Sequence, residues 1–178
     1  FFCRKDPERE IVVLSSDQST VYVGGAFSCI GTFDEECLGS ERAFIAGIDT
    51  STSLATAFDP TTNGRVRTLA LSSNDVTLYA GGDFTDVNSG TTRNYLAAFT
   101  TVDGVATSFD PALSDNVYSV RLADDGETLY AGGVFLTASD GAVARLRIGE
   151  FDIDDGTVTA FNPAFGDTVY ALALADGT

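Results

Sequence analysis

The side chains in this sequence that are best suited to chemistry are carboxylates and cysteines. The chain carries 26 Asp and Glu residues and three cysteines, but no histidine. Paired carboxylates can act as general acid and base or bind hard cations, and cysteines can form disulfides or bind metals. The lack of histidine excludes, within these residues, every catalytic triad, proton shuttle or metal site that depends on an imidazole.

The charge balance argues against nucleic acid as a partner. Ten Lys and Arg residues against 26 Asp and Glu give a net charge of −16, whereas phosphate binding needs clustered basic side chains. No apolar run approaches the roughly 18 residues of a membrane span, so none is expected. Two interpretations of the acidity remain, a surface built for solubility or salt and a cation-binding protein, so that calcium is a possible cofactor.

Two of the cysteines, Cys29 and Cys37, lie in one short segment without a CxxC partner, which makes a zinc site a weak interpretation. We favour a local disulfide, which would stabilise the fold by about 2–3 kcal/mol and would imply an oxidising compartment outside the cytoplasm. The alternative is two free, small hydrophobic side chains. Cys3 is left over: it either pairs with something outside this stretch or stays free.

The elements that must position these side chains recur about every 50 residues. A motif of the form apolar-Tyr-x-Gly-Gly-x-Phe occurs at 21–27, 78–84 and 129–135. A second marker, Phe-Asp-Pro or Phe-Asn-Pro, follows each copy, at 58–60, 109–111 and 161–163. The chain is therefore built from one repeated structural unit.

Each unit holds four apolar stretches of strand length, separated by Asp, Asn and Gly turns. They are found at 66–71, 76–84, 95–99 and 105–109 in the second unit and at 117–122, 128–135, 146–151 and 158–161 in the third. Apolar side chains alternate with period two, which is typical of strands. The sequence predicts an all-β fold of β-propeller blades, each with four antiparallel strands.

The markers divide the chain into about three blades and one strand. We place blade one at about 9–60, blade two at about 66–111, blade three at about 117–163, and the first strand of blade four at 169–175. Closed propellers have at least about four blades. We therefore expect a partial β-propeller, completed by the rest of a larger ring or by another copy of the chain.

The repeated motifs resemble those of a known family. The run Leu-Tyr-Ala-Gly-Gly-x-Phe, then Arg-Asn-Tyr-Leu-Ala-Ala-Phe, then Val-Ala-Thr-Ser-Phe-Asp-Pro is similar to the delta-60 repeat family, and the resemblance covers about residues 11 to 175. It implies propeller-like repeats of a secreted or surface protein, mostly without assigned function. Kelch repeats are the second resemblance, although the chain lacks the Trp that kelch blades normally carry.

The residues that recur in every unit are expected to serve the scaffold rather than a ligand. The glycines of each pair leave room where blades converge; they are Gly24, Gly25, Gly81, Gly82, Gly132 and Gly133. Three arginines also recur, namely Arg42, Arg93 and Arg145. A binding role for them is possible, but we favour pairing with a blade carboxylate such as Asp59, Asp110 or Asp83.

Function is expected in the parts that do not repeat, chiefly the loops at 28–41, 85–92 and 136–143. The first loop is the longest and is acidic. Its candidate contact residues are Phe33, Asp34, Glu35 and Glu36. The alternative is that this loop is decoration without a partner. The acidic segment 152–156 resembles the start of a calcium loop but lacks the later ligands, so we interpret it as a hairpin turn.

The sequence favours a non-catalytic module, extracellular or at the cell surface, that acts as a structural scaffold or a binding surface for protein or glycan. One alternative is a calcium-dependent surface or adhesion protein. Another is a propeller-type hydrolase or lyase. No Asp or Glu stands out from the turn pattern, so no catalytic residue is predicted.

Overall fold

The computed structural model describes residues 10–30 and 40–175, and these residues form fifteen β-strands. The described residues contain no helix, and so none of the length and apolarity that crossing a membrane requires. The strands pair antiparallel throughout. The prediction of an all-β fold is confirmed.

Each repeat contributes five of these strands. Repeat one has β1 (Ile11–Leu14), β2 (Thr20–Gly24), β3 (Cys29–Ile30), β4 (Ser40–Glu41) and β5 (Ile45–Asp49). Repeat two has β6 (Val66–Leu71), β7 (Thr77–Gly82), β8 (Asp86–Val87), β9 (Thr91–Thr92) and β10 (Leu96–Thr100). Repeat three has β11 (Val117–Leu122), β12 (Thr128–Gly133), β13 (Thr137–Ala138), β14 (Val143–Ala144) and β15 (Ile148–Asp152).

The three long strands of each repeat form one antiparallel sheet with the second strand in the centre. The orders are β1-β2-β5, β6-β7-β10 and β11-β12-β15. The two short strands pair only with each other, as the hairpins β3-β4, β8-β9 and β13-β14. The sequence predicts loops in place of these hairpins, because two residues per strand are too few to show an alternating pattern.

The fourth apolar stretch of each repeat is not the full strand that the sequence predicts. It meets its neighbour at single bridges, such as Phe99 with Ala106 in repeat two. Two backbone bonds flank this bridge, from the Thr100 N–H to the Val105 carbonyl and from the Thr107 N–H to the Ala98 carbonyl, each at 2.9 Å. Side chains bind other backbone groups of the segment: Asn88 Oδ1 accepts a bond from the Ala106 N–H at 2.8 Å, and Arg93 donates to the Thr107 carbonyl at 2.7 Å. These groups are thereby satisfied without a longer ladder.

The buried core lies largely between successive repeats. Tyr22 and Phe58 of repeat one share a cluster with Phe99 of repeat two, and the Tyr22 and Phe58 rings meet edge to face at 5.1 Å. Tyr79 and Phe109 of repeat two meet in the same way at 5.3 Å, within a cluster completed by side chains of repeat three. Each repeat thus buries aromatic rings against the next one.

The first glycine of each pair lies against the next repeat. A Cβ on Gly81 would stand 2.5 Å from Val117 Cγ1, and the same contact recurs for Gly24 with Val66 at 2.6 Å. Real Cβ atoms do not come this close to another carbon, so a side chain here would push the repeats apart. This glycine is required by packing between repeats.

The second glycine of each pair lies against its own repeat. A Cβ on Gly82 would stand 2.1 Å from the carbonyl oxygen of Arg65, and one on Gly133 would stand 2.1 Å from that of Asn116. In repeat one the corresponding Cβ on Gly25 would meet the Glu10 carboxylate at 1.7 Å. The six glycines singled out by the sequence therefore lie at close contacts within the scaffold.

The segment predicted as the first strand of blade four, 169–175, has no strand ladder, because no strand among the described residues follows to pair with it. It nevertheless lies against repeat three as a first strand would. The Val169 N–H donates to the Gly133 carbonyl at 3.2 Å, and a Cβ on Gly132 would stand 2.6 Å from Val169 Cγ1. The contact between repeats therefore occurs three times.

Replacing Gly81 with Ala should destabilise the protein by about 1–3 kcal/mol, because the new methyl group overlaps Val117 across the repeat interface and Thr68 within its own repeat. Urea unfolding measures the change. Gly166→Ala is the matched control, since nothing lies within 4 Å of a Cβ at that position. Equal unfolding midpoints for the two variants would contradict the packing role of Gly81.

Candidate functional site

Each repeated arginine donates to a carbonyl in the fourth segment of its own repeat. Arg42 Nη1 lies 3.2 Å from Asp59 Oδ2, and Arg93 Nη1 lies 3.3 Å from Asp110 Oδ2. In repeat three the position of the aspartate is Asn162, and Arg145 donates to the carbonyl oxygens of neighbouring residues. These guanidinium groups hold segments of the scaffold together.

The contacts of Arg93 show which parts of a repeat the arginine joins. It donates to the Thr92 carbonyl in β9 at 2.9 Å and to the Thr107 carbonyl in the fourth segment at 2.7 Å. The short hairpin is thereby attached to the outer part of the sheet. Asp83, the third carboxylate that the sequence offered, pairs instead with Arg67, whose Nη2 lies 2.7 Å from Asp83 Oδ2.

Many of the other aspartates stabilise turns. The Asp49 carboxylate accepts hydrogen bonds from Ser51 and Thr52, and these bonds lower its pKa to about 2. Asp152 Oδ1 likewise accepts from the Asp154 N–H at 2.9 Å, so 152–156 folds as the hairpin turn that the sequence predicts. Among the described residues, no three metal-ligating side chains come together.

The cysteine segment is only partly within the described residues. Cys29 is buried in β3, opposite Glu41 of β4. Cys37, Cys3 and the four candidate contact residues, Phe33, Asp34, Glu35 and Glu36, lie outside the described residues. The Cys29–Cys37 disulfide and the contact role of this loop therefore stay predictions.

A cleft of about 650 Å³ opens between repeats two and three. Its rim carries Ser73 in the β6–β7 turn and Asp124 in the β11–β12 turn. Its apolar lining includes Leu71, Leu122 and Ile153. The sequence pattern does not reveal this cleft, because its residues come from turns and strand ends that resemble those of the other repeats. The one signal in the sequence is that, at the rim of the cleft, matching positions of the repeats carry different residues.

Tyr79 lines the cleft from the core of the molecule. Only 2% of its surface is exposed, and this burial is the main cause that raises its pKa to about 12, with the nearby charges of Asp154 and Asp152 adding to the effect. The phenol therefore keeps its proton at neutral pH and can donate a hydrogen bond. The Tyr79 hydroxyl is thus an uncharged hydrogen-bond donor deep in the cleft, and the Asp124 carboxylate lies at the rim.

The chain matches no protein-family model, and no curated protein sequence matches it. The resemblance to delta-60 repeats therefore stays a prediction that rests on the motifs alone. Any functional assignment has to come from the geometry of the described residues.

Replacing Arg93 with Ala should lower stability by about 1–3 kcal/mol, because it removes two bonds to carbonyl oxygens and one ion pair. Asp110→Asn should cost less, since it reproduces the arrangement of Arg145 beside Asn162 and leaves the carbonyl bonds intact. Thermal and urea unfolding measure both effects. An Arg93→Ala protein with unchanged stability would contradict the scaffold role.

Proposed function

We propose that this chain is a non-catalytic β-propeller module, extracellular or at the cell surface, that serves as a structural scaffold and a binding surface for a protein or a glycan. The observation that carries the proposal is the recurrence of one contact between repeats. It occurs between Gly24 and Val66, between Gly81 and Val117, and between Gly132 and Val169.

The hydrogen bonds that join successive repeats recur in the same way. The Val120 N–H of repeat three donates to Thr68 Oγ1 of repeat two at 3.0 Å, and the Leu172 N–H donates to Ser119 Oγ at 3.1 Å. First strands thus lie beside first strands along the chain. This regular succession supports neighbouring blades of a propeller, whose innermost strands converge in this way.

The non-catalytic part of the proposal rests on the use of the polar residues. The repeated arginines are bound to carbonyl groups and carboxylates of their own repeat. Turn aspartates such as Asp49 and Asp103 accept hydrogen bonds from their own turns, and these bonds lower their pKa values. Such carboxylates stay ionised and occupied at neutral pH, which suits structure better than general acid catalysis.

The extracytoplasmic part of the proposal depends on the cysteines. Cys29 lies buried in β3 at the base of the longest loop, and Cys37 is eight residues further along the chain. A disulfide between them would stabilise this insertion in an oxidising compartment. A braced acidic loop on one face would then be available to a partner.

The two ends of the described repeats support completion of the ring by further repeats or by another copy of the chain. At one end β1 exposes 59% of Val12 and 46% of Leu14. At the other end Phe165, Tyr170 and Leu174 are 40–74% exposed. Equivalent positions between repeats are covered, so these apolar side chains are expected to be buried against a neighbouring blade.

A binding assay and a turnover assay on the same protein would test the non-catalytic role. The immobilised chain should retain at least one glycan or extracellular protein from a defined panel, and it should not cleave fluorogenic glycoside or ester substrates. Arg93→Ala is a useful control, because it should reduce stability without removing a contact to the ligand. Substrate cleavage that persists through purification to homogeneity would contradict the proposal.

A further inference from the structure

We propose that the cleft between repeats two and three is a sugar-binding site, which takes a neutral mono- or disaccharide. This inference rests on the proposed function, because it names the glycan as the ligand and this cleft as its place on the scaffold. The volume of about 650 Å³ lies within the range of about 300–1,000 Å³ that is usual for small-molecule sites.

The cleft exists because one contact between repeats is not repeated. Between repeats one and two, Ser16 donates to the Asp75 carboxylate from its backbone N–H at 2.8 Å and also from its hydroxyl. The corresponding residues between repeats two and three are Ser73 and Gly126, both of which line the cleft. Gly126 has no carboxylate to offer, so the turns of repeats two and three are not joined.

A polar neighbour of the tyrosine is also lost at the bottom of the cleft. Burial raises the pKa of Tyr22, and the nearby hydroxyl of Thr101 in repeat two acts against that rise. The corresponding pair between repeats two and three is Tyr79 and Ile153. The isoleucine side chain can neither donate nor accept a hydrogen bond. The Tyr79 hydroxyl has no hydrogen bond to another described residue, although Tyr79 is 98% buried. The phenol is therefore a donor and acceptor left for a ligand.

The other polar groups of the cleft indicate the kind of ligand. The hydroxyls of Ser73 and Thr77 and the carboxylates of Asp124 and Asp154 make no hydrogen bond to another described side chain or backbone group, and all four residues line the cleft. A ligand must offer both donors and acceptors to satisfy this set. Sugar hydroxyls do both at once, whereas an anion would be repelled by the two carboxylates.

The apolar lining fits the same ligand. Leu71, Leu122 and Ile153 present aliphatic carbon beside the polar groups. The C–H faces of a sugar ring can cover this surface while its hydroxyls bind the polar groups. A basic peptide is the competing ligand, since its cations would also suit the carboxylates. Its ammonium groups only donate, so an acceptor for the Tyr79 O–H would have to come from the peptide backbone. Every sugar hydroxyl both donates and accepts, and the sugar is therefore favoured.

The test is a titration of the whole chain with maltose, cellobiose, lactose and chitobiose, followed by saturation-transfer difference and ¹H–¹⁵N NMR. Trilysine is titrated in parallel at low and high salt. At least one disaccharide should give saturable shifts at residues that line the cleft. Absence of binding by all four sugars, or salt-sensitive binding of trilysine alone, would overturn the proposal.

Two variants locate the binding. Tyr79→Phe removes only the phenol oxygen and should weaken affinity about tenfold, the effect of one lost hydrogen bond to a ligand. Gly126→Asp should abolish binding by joining Ser73 to the opposite turn. The substitution is tolerable, because Gly126 has φ +70° with open space around its Cβ, and Asp75 holds φ 57° at the matching position.

Tyr22→Phe and Asp75→Gly are the controls, because the first makes the same change between repeats one and two and the second makes the reverse change there. They should leave sugar affinity unchanged, and ¹⁵N spectra verify that each variant is folded. Sugar binding that neither Tyr79→Phe nor Gly126→Asp weakens would overturn the cleft as the site. In that case the proposed function as a glycan-binding scaffold would remain, with the binding surface elsewhere on the molecule. The two proposals can therefore be contradicted independently.

Discussion

The structure depends on the close approach of a valine to a glycine across each boundary between repeats. Val66 meets Gly24, and Val117 meets Gly81, at distances that leave no room for a Cβ on the glycine. This approach brings first strands together and allows the aromatic rings of one repeat to be buried against the next. A repeat of this size cannot bury its apolar face alone, and stacking with neighbours supplies the core.

On such a scaffold, contacts that recur in every repeat stabilise the fold, and positions that differ between repeats can provide a binding site. The arginine contacts recur and stabilise each unit. The Ser16–Asp75 bond joins repeats one and two but has no counterpart between repeats two and three. Thr101, a polar neighbour of Tyr22, is matched by Ile153 beside Tyr79. Two changed positions, Gly126 and Ile153, convert a joined boundary into an open cleft with a buried phenol. A binding site can thus arise on a repeated fold through the loss of contacts.

The sequence alone predicts much of this fold, because its signals are local. Period-two alternation identifies the long strands, and the paired glycines and repeated arginines mark tight contacts. The short hairpins and the single bridges of the fourth segment depend on backbone groups taken by Asn88 and Arg93, which no local pattern shows. The cleft combines residues some 80 positions apart, such as Leu71 and Ile153, so the sequence gives no direct sign of it.

The most direct test of the packing between repeats is native-state hydrogen exchange at the Val120 amide. Its N–H donates to Thr68 Oγ1 of the preceding repeat at 3.0 Å, so it reports on the boundary itself. If the repeats form one cooperative unit, this amide exchanges only through global unfolding, with the free energy of the most protected amides in the sheets. Exchange through a much smaller opening free energy would show that the repeats separate independently and would contradict this account.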